Sequence, residues 1–349
     1  MTAPLLELIR RRIAAEGPIS LSDYMAECLL HPQFGYYTTR ESIGAAGDFI
    51  TAPEISQMFG ELLGLWAADC WQRIGAPSRC YLVELGPGRG TLMQDALRAT
   101  RKVAPFLPLF VEASPKLRAM QAQAVPDATW CAEIAALPDD APLIVLGNEF
   151  LDALPIKQYQ MQHGAWRERR IAASDDGGLH IVLSRDAFPL ARTAPEGSIW
   201  ETSPASHAVI EALAARLQAQ GGAALFIDYG PETSGFGDSF QAVRGHAYAD
   251  PLASPGEVDL TAHVDFQSLG QTARRAGLNA HGPIGQGALL NRLGIGLRAQ
   301  QLKARATPAQ AEAIDGALHR LTADAAMGRL FQALALTLRD APPPAGFAP

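Results

Sequence analysis

Residues 81–93 read YLVELGPGRGTLM: apolar residues that close a strand, an acid at Glu84, then Gly86, Gly88 and Gly90 alternating before Thr91. Strand, glycine turn and helix in succession bring backbone N–H groups and a helix N-terminus to the carboxyl end of the strand, where nucleotide-class cofactors are held. The spacing separates the candidates. A dinucleotide turn follows GxGxxG, its third glycine packing helix on strand, and here Gly90 comes one position early. A phosphate-cradling loop needs Gly-Lys-Ser/Thr after four spacers, which Pro87 and Arg89 do not supply. The remaining user of Glu/Asp-x-Gly-x-Gly-x-Gly is S-adenosylmethionine (SAM), which has no phosphate to cradle and asks only for close approach of the backbone. The motif favours SAM and leaves a dinucleotide, hence an NAD-dependent oxidoreductase, as the weaker reading.

The flanking sequence alternates. CYLVELG, LPLFVEAS, the weaker ATWCAEI and APLIVLGNEF read as strands, with TLMQDALRATRKV and PKLRAMQAQA as helices between them. Alternation of short apolar runs with helices predicts a parallel sheet covered on both faces. The second strand ends at Glu112, twenty-two residues after Gly90. A carboxylate there can accept both hydroxyls of a ribose, so it supports a nucleoside cofactor without choosing which.

Outward from this core, residues 1–75 read as a helical N-terminal part with a long loop, HPQFGYYTTRESIGAAGDFITAP. The loop's aromatic residues, Tyr37 among them, are expected in the core. TAPE offers a capping box, with Thr51 at the N-cap and Glu54 three residues on. Residues 76–155 and 221–340 make the cofactor-binding core, 156–220 an inserted antiparallel lobe, 231–261 a long Gly/Pro-rich loop, and 341–349 a disordered tail.

The chain has 349 residues, is 48% hydrophobic and carries a net charge of −7 with a pI near 5.6. That balance supplies a large core and argues against nucleic acid as a partner. The four cysteines form no CxxC pair, as expected of reduced thiols in the cytoplasm. No run is long and apolar enough to span a bilayer. Glu7 and Glu16 mark the first segment as a helix of the protein itself rather than a targeting peptide.

GDFITAPEISQMFGELLGLW, VELGPGRGTLMQDALR, VEASPKLRAMQ, NEFLDALPIKQ, GGAALFIDYG, PGEVDLTAHVDF, LGI and MGRLFQALAL occur in this order. Together they resemble the MidA-like family of class I SAM-dependent methyltransferases, related to the mitochondrial complex I assembly factor, over about residues 18–340. The resemblance implies an α/β fold: a seven-stranded Rossmann-like methyltransferase sheet with a helical N-terminal part and an inserted lobe. It also implies protein-arginine methylation, symmetric dimethylation of a complex I subunit in the mitochondrial members, and the mitochondrial matrix for a eukaryotic chain. It further suggests that the loop with Gly47, Asp48 and Thr51 closes over the cofactor. GQGALLNRLGI departs from the family in carrying alanine and leucine where a bulkier aromatic is expected. The alternative is a SAM-binding assembly factor with little turnover. The inserted lobe would bind either the acceptor protein or a second copy of the chain as a homodimer.

Methyl transfer is an in-line displacement, so the enzyme mostly positions its reactants. An arginine acceptor has a pKa of roughly 12.5–13.8, and full deprotonation near neutral pH costs on the order of 7–9 kcal/mol. Carboxylates that fork the guanidinium can instead localise its charge and free the attacking nitrogen. In this fold class the loop after the fourth strand borders the methyl group, which selects Glu149, Asn148 and Asp152, with Asp152 equally readable as a turn before Pro155. Asp228, at the end of the fifth strand, either supports the acceptor pocket or caps a turn. Gln241, Arg244, His246, Asp259, His263 and Asp265 lie on or beside the long loop, with His263 and Asp265 assigned to the substrate. No HxH or HxxxH is present, so no metal is expected.

Overall fold

A computed structural model describes residues 4–39, 51–245 and 247–347. The chain opens with α1 (Pro4–Glu16), β1 (Ile19–Ser20), α2 (Leu21–Leu30) and α3 (Tyr36–Thr39), followed by α4 (Ala52–Ile55) and α5 (Gln57–Arg73). The alternating stretch is β2 (Cys80–Leu85), α6 (Thr91–Thr100), β3 (Phe106–Val111), α7 (Pro115–Ala124), β4 (Thr129–Cys131) and β5 (Leu143–Asn148). A meander follows, of β6 (Lys157–Gln162), β7 (Ala165–Ala173), β8 (Leu179–Phe188) and β9 (Ile199–Thr202), then α8 (Pro204–Gln220) and β10 (Gly222–Tyr229). The last third holds β11 (Gln241–Arg244), β12 (Ala247–Ala249), β13 (Asp259–Thr261), α9 (Phe266–Arg275) and β14 (Leu278–Gly285). It ends with α10 (Gln286–Arg292), α11 (Ile295–Lys303), α12 (Pro308–Thr322) and β15 (Phe331–Leu338).

The central sheet has seven strands in the order β14-β15-β10-β5-β2-β3-β4. From β10 to β4 all neighbours are parallel, while β15 runs antiparallel to both β10 and β14. The fold is the expected α/β sheet, with one reversed strand near its edge. Every residue of β2 is buried, because helices cover both faces. On one face Leu82 and Leu146 meet Phe59, Leu62 and Trp66 of α5 and Leu92 of α6. On the other, Val83 and Val145 meet Ile210, Leu213 and Leu217 of α8 and Leu269 of α9.

Four parts of the chain differ from their reading in the sequence. α8 packs on the central sheet, so the inserted lobe ends at β9 rather than at residue 220. The N-terminal part is divided: α5 belongs to the central core, whereas β1 pairs with β7 and Leu5, Ile9 and Tyr24 of α1 and α2 pack with Ile171 of the lobe. Residues 231–261 hold a three-stranded antiparallel sheet, β12-β11-β13; its short strands escape a periodicity test. The expected disordered tail packs on the core at Ala345 and Phe347, and the Ala345 N–H donates to Asp69.

Candidate active site

At the carboxyl end of β2 the glycine turn is tight. The Gly90 N–H donates to Pro87 O at 2.8 Å, and Gly86, Gly88 and Gly90 take φ of 60°, 53° and 83°. Those left-handed values favour glycine, and a Cβ on Gly86 would stand 2.8 Å from Phe150 Cδ2. Gly86 and Gly88 thereby expose backbone to a cavity of about 910 Å³. Buried Glu84 accepts from the Met93 N–H, which ties β2 to the start of α6. Its Oε2 is buried without a partner among the described residues, and burial pushes the carboxyl well above its ordinary range. Thr91 lies beside the cavity rather than in its wall; its hydroxyl donates to Glu54 Oε1 at 2.5 Å.

Glu112 lines the cavity just after β3. Ser114 N–H donates to its Oε1 at 2.7 Å and Gln121 Nε2 to its Oε2 at 3.2 Å. Burial raises its pKa against those donors. Gln121 is a residue the sequence reading missed. Fully buried, it also donates to Gly88 O at 2.9 Å and accepts from Trp130 Nε1 at 2.9 Å. One side chain thus fixes the glycine turn relative to Glu112. The signal was its place on α7 one turn after buried Leu117, on the core-facing side where a glutamine needs partners.

The opposite wall is the loop after β5. Glu149 adopts φ +50°, an uncommon conformation for a residue with a side chain. Its Oε1 accepts from the Ala52 N–H at 2.9 Å and Asn148 Nδ2 at 3.0 Å. Glu149 therefore closes the start of α4, the role expected of Thr51. Thr51 makes no capping bond and lines the cavity instead, while Ser56 caps α5. The capping box fails because Glu54 is engaged by Thr91. Asn148 Oδ1 is buried without a partner among the described residues.

Asp228 lies beneath this loop as its anchor. Its Oδ2 accepts from the N–H groups of Phe150, Leu151 and Asp152 at 3.1, 2.8 and 3.2 Å, and its Oδ1 from Tyr229 at 2.9 Å. These bonds tie the loop after β5 to the end of β10. Burial and then Glu149 raise its carboxyl, yet four N–H donors favour the anion. Asp152 is buried, lines the cavity and is raised well above the ordinary range by burial, then by Asp228, Asp259 and Glu149. Asp259, at the start of β13, lines the same cavity and accepts from the Tyr37 hydroxyl at 2.8 Å. Tyr37 packs on the core as read from the sequence and also lines the cavity. Tyr229 completes the wall, its hydroxyl bonded to Thr261 and accepting from Gln241 Nε2 at 2.9 Å.

His263 reaches the cavity edge-on to Tyr229, with ring centroids 5.3 Å apart, and burial lowers its pKa. Asp265 does not join it. Its Oδ1 accepts from Ser268 N–H at 2.9 Å and Ser234 Oγ at 2.7 Å, the geometry of an N-cap on α9. Gly47, Asp48 and His246 lie outside the described residues. Among the described residues no group of His, Cys, Asp and Glu is arranged to hold a metal ion, and no helix is long and apolar enough to cross a membrane.

Left-handed glycines opening on a cavity and an acid at the next strand's tip fit SAM, whereas buried Glu84 lies outside the cavity lining, and known proteins agree. Residues 62–284 match the S-adenosyl-L-methionine-dependent methyltransferase family Methyltransf_28. The mitochondrial protein arginine methyltransferase NDUFAF7 homolog of Drosophila melanogaster is 39% identical, over 95% of this chain and 84% of its own length. Human protein arginine methyltransferase NDUFAF7 is 35% identical, over 86% of this chain and 75% of its own. A Burkholderia thailandensis protein crystallised with S-adenosyl-homocysteine superposes with a TM-score of 0.82 at 28% identity, over 99% of this chain and 92% of that one. The chain belongs to this family of S-adenosyl-L-methionine-dependent methyltransferases.

Proposed function

We propose that the chain methylates an arginine side chain of a protein. The observation that carries this reading is the wall opposite the glycine turn, where Asp152, Asp259 and Glu149 converge on one cavity with Tyr37 and Tyr229. Burial raises the Asp152 and Glu149 carboxyls, because a buried anion is costly on its own. A guanidinium relieves them, offers planar N–H groups to fork, and stacks on aromatic faces.

Gly86 and Gly88 would hold SAM by backbone approach, and Glu112, oriented by Gln121, would take its ribose. When bound, SAM supplies an electrophilic methyl carbon open to in-line attack. Asp259 and Glu149 orient the acceptor. Asp152 takes the proton that the acceptor nitrogen gives up, a task suited to a carboxyl whose pKa is raised. Asp228 and Asn148 position the loop. The family resemblance makes a complex I subunit and symmetric dimethylation the first case to test. The described cysteines are all unpaired, which suits the reducing cytoplasm or mitochondrial matrix.

The test incubates the protein with methyl-labelled SAM and a cell extract, then hydrolyses the labelled product. Label in methylarginine supports the proposal. Label confined to lysine or to small molecules overturns it.

A further inference from the structure

Beside the acceptor cavity lies a second one of about 250 Å³, between the inserted lobe and the central sheet. The wall between them is one chain thick. Leu151 lines the smaller cavity while its neighbours Phe150 and Asp152 line the larger; Ala262 and Thr261 divide in the same way, and His263 lines both. Adjacent chains lie about 5 Å apart, and an extended peptide advances about 3.3–3.6 Å per residue. A wall of that thickness matches the spacing of neighbouring side chains on an extended peptide.

The smaller cavity has a marked chemistry. Trp200 and Phe236 form an aromatic side, with the Arg192 guanidinium 5.2 and 5.7 Å from their centroids. Phe236 is 44% exposed, although Trp166 packs on it at 5.8 Å. His207 supplies a polar end. Its Nδ1 is 2.8 Å from Thr272 Oγ1, whereas its Nε2 has a long contact of 3.4 Å with Ser268 Oγ, at the limit of hydrogen bonding. Burial keeps this imidazole neutral by lowering its pKa. Glu201 and Asp265 are bonded within the wall, to Gln158 and Ser239 and to Ser234 and Ser268, and their charge disfavours an acidic guest.

We propose that this cavity is a specificity subsite: it receives a planar side chain with a hydrogen-bonding end, of tyrosine type, next to the acceptor arginine. The proposal deepens the arginine reading and rests on it. The ring stacks against Trp200 and Phe236, and the hydroxyl bonds to His207 Nε2. Because the subsite combines the lobe (Trp200), the loop after β10 (Phe236) and α8 (His207), it gives the insertion a task in choosing the acceptor.

The test uses a peptide library with a central arginine and randomised neighbours, methylated with labelled SAM by the full chain and by Phe236→Ala and His207→Leu. The parent is expected to favour tyrosine over aspartate beside the arginine by about tenfold in kcat/KM. Phe236→Ala, at an exposed position that leaves folding intact, should reduce this to about twofold. His207→Leu should erase the preference for tyrosine over phenylalanine. Methylation of arginine with no flank preference, or with one that both variants retain, overturns the subsite and leaves the arginine reading standing. Binding of S-adenosylhomocysteine without methylation of any arginine peptide overturns both.

Discussion

Around the glycine turn, the polar side chains that shape the cavity are engaged: Gln121 with three partners, Glu112 with two donors, Thr91 with Glu54. Across the same cavity, Asp152, Asp259 and Glu149 line one wall with Asp228 behind it, and burial together with these neighbours raises the Asp152 carboxyl. The cofactor side is a hydrogen-bonded network that resists deformation, with Glu84 Oε2 left unpartnered among the described residues. The proposed acceptor side gathers buried carboxyls, with Arg320 lining the same cavity, and favours a cationic guest. Rigidity serves a ligand that always has the same shape, and frustration selects for charge in one that varies.

The largest expected effect breaks the cofactor side. In Gly86→Val the new side chain has to occupy a left-handed backbone position and the space 2.8 Å from Phe150. S-adenosylhomocysteine affinity by calorimetry should fall at least about a hundredfold. Near-normal affinity in a folded variant would mean that the turn does not hold the cofactor.

Next comes the acceptor side. Asp152→Asn should lower methyl transfer by about a hundredfold while S-adenosylhomocysteine affinity stays within about twofold. The sign of the stability effect is a second handle. Because burial and its neighbours raise the Asp152 pKa in the folded state, the folded protein binds more protons than the unfolded one between the ordinary carboxylate value and the raised one. Stability therefore falls as pH rises through that window. The neutral asparagine avoids that loss, and Tm at pH 7 should rise by on the order of 2 °C. In the parent, transfer should also fade on acidification at a higher pH than an ordinary carboxylate would dictate. Turnover equal to the parent's removes Asp152 from the acceptor site.

The same contrast explains what could be read in the sequence. Glu84, the glycines and Glu112 are set by one strand-turn-helix and the next strand tip, so local spacing finds them. The acceptor wall is assembled from Tyr37, Asp152, Tyr229 and Asp259, which approach only after the lobe and the small sheet of residues 241–261 have folded. Asp152 and Asp228 could be chosen but not told apart, because catalytic and anchoring roles depend on which backbone N–H groups surround each carboxylate. Glu149 shows the limit most plainly: its bond to the Ala52 N–H joins segments 97 residues apart, while Thr91 draws away the Glu54 that TAPE seemed to offer as a cap.

Gln121→Leu sharpens the comparison at a smaller scale. Removing the amide leaves Gly88 O and Trp130 Nε1 without their partner and Glu112 without one donor, at about 1–3 kcal/mol for a buried group. S-adenosylhomocysteine affinity should drop by about tenfold with kcat at saturating SAM unchanged. An analogue lacking the ribose 2′-hydroxyl should lose less, since Gln121 acts through Glu112. Equal losses for both ligands would make Gln121 a packing residue with no part in orienting that acid.

The smallest effect lies where the sequence suggested function and the structure gives a cap. Asp265 holds the Ser268 N–H and the Ser234 hydroxyl at the start of α9, with no reach into the acceptor cavity. Asp265→Ala should cost about 1 kcal/mol of stability, the ordinary loss for an N-cap, and lower Tm by about 2 °C. Its kcat and its S-adenosylhomocysteine affinity should match the parent's. A fall in kcat beyond about threefold, with the thermal shift as expected, would mean that the α9 end couples to the acceptor wall through His263. Two residues from Asp265, His263 is the one side chain of this segment that faces both cavities. The frustrated half of the site would then extend into the lobe's cavity rather than stop at Tyr229.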